Sequence, residues 1–200
     1  LASVQADLKI IPAWAAKEIK KKAKIDNFDA NNIASEIERT GSPVFALVRI
    51  FADFCGTAGH YVHLGATTQN IVETGQLIVL KRYHKILLKA CIKILEKFKI
   101  MALEHADTMM VGRTQGNHAL PITFGYKLAG WINDFISLVD RFFDIERRLF
   151  LLRFGGAVGA FHGFGSQGQK ISEALATKLD MDLAFFQGRN SPEGQLEYIL

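Results

Sequence analysis

Two short stretches hold most of the polar chemistry of this sequence, YVHLGATTQN at Tyr61 to Asn70 and VGRTQGNHALP at Val111 to Pro121. In the second, Arg113, Thr114, Gln115, Asn117 and His118 offer donors and acceptors within a few residues, while Gly112 and Gly116 loosen the backbone. A mere linker needs no such variety. In the first, Thr67 or Thr68 reads as the N-cap of a long helix. Two hydroxyls, free backbone N–H groups and the positive end of a helix dipole at one place suit an anion such as a carboxylate. Lys127, just beyond the second stretch, either adds charge toward an anion or is a plain exposed lysine. His63, taken alone, reads as a backbone hydrogen-bond anchor.

The elements that must position these groups are long helices. Before the second stretch, Leu77, Leu80, His84, Leu87, Cys91, Ile94, Phe98 and Met101 fall at alternating spacings of three and four, a heptad seam. After it, Leu128, Trp131, Phe135, Leu138, Phe142, Ile145, Leu149 and Leu152 repeat the pattern. Two antiparallel rods are predicted, from about Thr68 to Ala106 and from Pro121, read as a first helical position, to Phe154. The first would be ~60 Å long. Both carry a second apolar face, including Ile78, Ile86, Ile92, Ile132, Ile136 and Val139. One copy of the chain can hardly cover both faces, so a homo-oligomer with a multi-helix core is expected.

Shorter amphipathic helices precede the rods: Leu1 to Ile10, one opened by Pro12, one over Ala30 to Glu38 ended near Gly41, and one begun by Pro43. After Arg153 glycines crowd together as a flexible or tightly turned loop, and Ser166 or Gln167 starts a helix reaching Leu179. Gly163, Gly165 and Gly168 satisfy a dinucleotide-binding spacing, but a helix precedes them and no acidic strand follows, so a Rossmann site is rejected. The segment from Phe185 to Leu200 gives no assignment. The expected class is all-α, with residues 1–66 an N-terminal helical domain and 67–200 the first part of a central long-helix bundle domain.

Of 200 residues, 49% are hydrophobic and 22% charged, enough for a real core and against disorder or a disulfide-stapled miniprotein. The net charge of +4 is not clustered enough for nucleic acid, and the run Lys17 to Lys24 reads as a solvated helix face. Cys55 and Cys91 sit at apolar helical positions, as buried reduced thiols of a cytoplasmic protein. No apolar run approaches the ~20 residues that span a bilayer, and no signal peptide opens the chain. It starts inside a running helical pattern and stops without a stop signal, so further sequence is expected at both ends.

At HLGATTQN, VGRTQGNHALPITFGYKLAGW and RFGGAVGA, three motifs in order, the chain resembles the fumarase/aspartase superfamily, within it the branch of adenylosuccinate lyases and 3-carboxy-cis,cis-muconate lactonising enzymes. LASVQADLKIIPAWAA and TGSPVFALVR match as well, so the resemblance reaches to about Leu179. It implies a homotetramer whose long helices form one bundle, active sites built from three subunits, and elimination or its reverse next to a carboxylate, without metal or organic cofactor. It places His63, Thr67, Thr68, Gln69, Arg113 and Thr114 on substrate-binding motif positions, with Lys127 as the open case above. His118 and Gln115 fall on the catalytic motif, whereas His84 reads as packed in the seam and His60, His105 and His162 as surface or loop residues.

The chain departs from that pattern at four places. Gln115 stands where many members carry a histidine regarded as the general acid, and Ser42 or a neighbour where adenylosuccinate lyases carry another. Asn70 replaces the usual aspartate of the Thr-Thr motif, and GRNSPEGQ replaces an arginine-rich tail before Glu197 and Tyr198. The resemblance also puts the loop bearing the family's basic serine beyond Leu200. A lactonising-type lyase or cycloisomerase acting on a small anionic polycarboxylate is expected for the whole protein. Adenylosuccinate lyase and a catalytically silent helical assembly protein are the alternatives, the last also applying to this stretch alone. No nucleic acid or membrane partner is expected.

Overall fold

The computed structural model describes residues 1–188. The first part of the chain forms α1 (Ala2–Asp7), α2 (Ala13–Lys22), α3 (Ala30–Thr40) and α4 (Pro43–Cys55). Each boundary has a local cause. Pro12 has an extended backbone and precedes α2, and Gly41 at φ 67 closes α3 in the left-handed conformation. Asp29 caps α3 by accepting from the Asn31 and Asn32 N–H groups, and Ser42 caps α4 by accepting from that of Phe45, with Pro43 at the first position. α5 (Thr68–Glu104) is 37 residues long, or ~55 Å.

After α5 come β1 (Met109–Thr114) and β2 (Asn117–Thr123), then α6 (Phe124–Leu149), β3 (Leu151–Leu152), α7 (Gly168–Leu179) and β4 (Asp182–Leu183). The chain is mainly helical, as expected. The Val111 to Pro121 stretch, however, is an antiparallel hairpin rather than an irregular loop. Gln115 at φ 48 and Gly116 at φ 80 form its two-residue turn, two positive φ values in succession that match the twist of the flanking strands. Pro121 lies in β2 opposite Val111 and is not a helix start. A two-stranded ribbon is all edge, so a residue without an N–H is tolerated there. α6 is correspondingly shorter than predicted. It also stops before Phe154, because Leu151 and Leu152 pair in parallel with Asp182 and Leu183, a tertiary pairing that overrides the helical periodicity.

The described residues form two compact units, residues 1–78 with 150–188, and residues 79–149. The first has a core of Val4, Leu77, Leu152, Phe154, Ile171 and Leu175. Beside it, Ala15, Ile19, Cys55 and Ala58 form a smaller cluster, whose burial raises the Cys55 thiol above its ordinary value. In the second unit α5 and α6 run antiparallel: Gly125 lies against the backbone of Ala102 and His105, Phe98 meets Trp131 and Phe135, and His84 meets Phe142 and Glu146. That contact covers one side of each rod. The other apolar side is open in the single chain, with Ile86 61%, Ile100 64% and Phe143 51% exposed. No helix among the described residues is long and apolar enough to cross a membrane.

Candidate functional site

In the first unit the segment before α5 is shaped by close backbone packing. Gly65 has φ 74, and a side chain there would run into the Gly163 carbonyl and the Phe164 ring. His63 also has positive φ, at 62, and its carbonyl accepts from the Ala66 N–H. The Gln5 amide, 1% exposed, donates to the Leu64 carbonyl at 2.9 Å. So the turn is pinned from α1 and from the glycine-rich segment after α6. His63 Nε2 is buried without a hydrogen-bond partner, and burial, only partly offset by a bond to its own backbone, lowers the imidazole pKa. The ring is therefore neutral near pH 7 and able to accept or donate one hydrogen bond to a ligand.

Thr67, Thr68 and Gln69 are half-buried where α5 begins at Thr68, which leaves the first-turn N–H groups without helical acceptors. The Gln69 amide donates to Glu73 one turn on. Asn70 behaves differently: it is 5% exposed, its Oδ1 accepts from the Gly156 N–H at 3.0 Å, and its Nδ2 donates to the Arg153 carbonyl at 3.3 Å. Phe154 N–H donates to Gln187 Oε1, and Ser172 Oγ donates to the Phe154 carbonyl. Three buried side chains thus hold the RFGG segment, and Arg153 Nε is buried beside it with no acceptor. Contacts spanning 83 and 86 positions leave no trace in local periodicity, so a sequence reading does not find them. The unusual Asn70 was the only signal.

In the second unit the hairpin displays the other candidates. Arg113 and His118 are cross-strand partners, so their side chains share one face of the ribbon. Thr114 pairs with Asn117 on the opposite face, a consequence of strand alternation, and Gln115 occupies the tip. All are exposed. Arg113 Nη1 donates to the Gly116 carbonyl at 3.0 Å, which braces the turn. Lys127, on the first turn of α6, lies over the Trp131 ring at 5.3 Å, an exposed cation–π contact. His84 is packed between the rods, 1% exposed, as its seam position indicates. His60 and His162 are exposed, and His105 is half-buried, bonded to Thr108. Arg189 to Gln195 of GRNSPEGQ, together with Glu197 and Tyr198, lie outside the described residues.

The chain is mainly helical, with a threonine-rich start to α5 and a hairpin between α5 and α6, and comparison with known proteins gives its family. A family profile described as "Lyase" matches residues 2–193. The chain is 36% identical over 198 residues to the N-acetyl-S-(2-succino)cysteine lyase of Enterococcus italicus, covering 99% of this chain and 44% of that protein. It is also 36% identical over 183 residues to the adenylosuccinate lyase of Methanothermobacter thermautotrophicus, covering 90% and 40%. Among solved structures, the 3-carboxy-cis,cis-muconate lactonizing enzyme of Pseudomonas putida superposes with a TM-score of 0.93 at 31% identity, covering 98% of this chain and 46% of that one. The chain belongs to the lyase family of the fumarase/aspartase superfamily, in the branch of adenylosuccinate lyases and 3-carboxymuconate lactonising enzymes. It spans about half the length of the curated relatives it matches.

Proposed function

We propose that the whole protein carrying this chain is a cofactor-free lyase or cycloisomerase that acts on a small polycarboxylate, breaking or forming a bond next to a carboxylate. Residues 1–66 belong to its N-terminal helical domain, with which 150–188 form one compact unit, and α5 and α6 open the bundle that a cytoplasmic homotetramer completes. The open apolar faces of α5 and α6 support that assembly. Thr67, Thr68, Gln69 and the neutral His63 hold one carboxylate at the start of α5. Arg113 and Lys127 bring positive charge for a carboxylate at the hairpin, Thr114 offers its hydroxyl from the other face of the ribbon, and His118, on the face of Arg113, is the candidate catalytic group.

The observation that carries the choice of substrate is Gln115. An amide cannot give up a proton near neutral pH, so this position does not assist a leaving group that must be protonated as it departs. A carboxylate or a thiolate leaves without such help far more readily than an amine does. The carboxylate case is the lactonising reading: a lactone opens to a carboxylate, and in reverse a carboxylate adds to a double bond. The thiolate case is cleavage of a succinyl thioether, and the extent of identity to the N-acetyl-S-(2-succino)cysteine lyase favours it as the second reading. Adenylosuccinate, with nitrogen as leaving atom, fits least.

The test is the whole protein assayed with 3-carboxymuconate or its lactone, with N-acetyl-S-(2-succino)cysteine and with adenylosuccinate. Turnover of the first, or failing that the second, supports the reading. Turnover of adenylosuccinate alone overturns it, and turnover of none moves weight to a silent assembly protein.

A further inference from the structure

We propose that Asn70 is a positioning residue that fixes the anion-holding start of α5 to the segment Arg153 to Gly156, and that its amide, rather than a carboxylate, is what the site requires. This rests on the reading that Thr67 and Thr68 bind a substrate carboxylate. Asn70 is the third residue of α5, two after Thr68, and it is almost wholly buried. Its two side-chain bonds have opposite polarity, one accepted from the Gly156 N–H and one donated to the Arg153 carbonyl. An uncharged amide of this length serves both at neutral pH. Ionised aspartate supplies acceptors alone and would set an oxygen against the Arg153 carbonyl, and serine or alanine reaches neither.

The far side of this clamp is itself rigid. Gly156 has φ 84, Phe154 is fixed through its N–H by Gln187 and through its carbonyl by Ser172, and on the near side Thr74 Oγ1 donates back to the Asn70 carbonyl at 2.6 Å. The first turn of α5 is thereby held against an element distant in sequence. An anion at its N–H groups meets donors that are already in place. A carboxylate at position 70 would also put a negative charge within the turn whose partial positive charge attracts that anion.

The experiment uses the whole protein with Asn70→Asp and Asn70→Ala, the first conserving size in case the second does not fold. Steady-state kinetics are measured on whichever polycarboxylate the wild type turns over, with hydrogen exchange of peptides covering 63–71 and 153–156 followed by mass spectrometry. The expected result is KM raised about tenfold or more with kcat within about twofold, the mark of lost substrate binding rather than lost chemistry, and faster exchange in both peptides. A variant that folds and keeps the wild-type KM overturns the proposal, as does unchanged exchange in both peptides. If the wild type turns over no polycarboxylate, the functional reading fails separately. The exchange result then decides whether the clamp exists.

Discussion

Nε2 of His84 on α5 lies 2.7 Å from a carboxylate oxygen of Glu146 on α6, with the imidazole 1% exposed and set edge-on to the Phe142 ring. The imidazole sits inside the apolar seam between the rods, while the Glu146 side chain, 42% exposed, reaches it from the margin. Glu146→Ala should destabilise the whole protein by ~1 kcal/mol, the cost of losing a hydrogen bond to a buried imidazole. Adding His84→Leu should recover part of that loss, because both polar partners are then gone. Urea unfolding of the two single variants and the double variant measures the coupling, and strict additivity would show that the pair does not act as a unit.

His63 gives the start of α5 a pH signature. Burial lowers its pKa below the ordinary 6.5, so as pH falls the unfolded chain takes up the proton before the folded one does. The stability tied to a neutral His63 is therefore intact above about 6.5, drains away as pH falls below that, and levels off once the folded imidazole is also protonated. His63→Gln should remove this acid-side slope from a plot of unfolding free energy against pH. An identical slope in the variant would mean that His63 titrates as it does in water.

The contact between Gly65 and Gly163 leaves no room for a side chain on either. Gly65→Ala and Gly163→Ala should each cost ~2 kcal/mol or more, since backbone atoms stand in the way and, at Gly65, φ 74 disfavours a Cβ. Gly75→Ala, in α5 with open space around it, should instead stabilise by ~0.5–1 kcal/mol. Thermal melts of the three variants test this. Tolerance of alanine at both Gly65 and Gly163 would show that the two turns are not in contact.

Much of the helical frame was legible in the sequence because its signals are local. Pro12 and Pro43 marked helix starts, Gly41 a stop, and the spacing of three and four ran through both rods. The hairpin escaped because its turn is Gln115-Gly116 rather than the usual Asn-Gly or Asp-Gly, and because Pro121 is as good a helix opener as a ribbon-edge residue. Of the candidate site, residue types and motif positions were readable. The face-sharing of Arg113 with His118 depends on hairpin register, and the Asn70 clamp on a contact across more than eighty positions, so neither could be read from local pattern.

Apolar side chains such as Ile86, Ile100 and Phe143 are half or more exposed in the single chain, an arrangement that oligomer formation would relieve. Light scattering on the whole protein should give the mass of a tetramer, and Phe143→Lys should shift it toward smaller species. A stable wild-type monomer would remove the bundle core.

Gln115 offers the sharpest test, through two matched substrates: a succinyl adduct bonded through sulfur and its analogue bonded through nitrogen, each given to wild-type whole protein and to Gln115→His, with fumarate release followed in the ultraviolet. On the second, thioether reading, the expected result is that the wild type strongly prefers the thioether, and that histidine raises the rate on the nitrogen adduct by part of the ~10²- to 10⁴-fold a positioned acid contributes while leaving the thioether nearly unchanged. Wild-type turnover of the nitrogen adduct at the rate of the thioether, with no gain from histidine, would contradict the role assigned to Gln115.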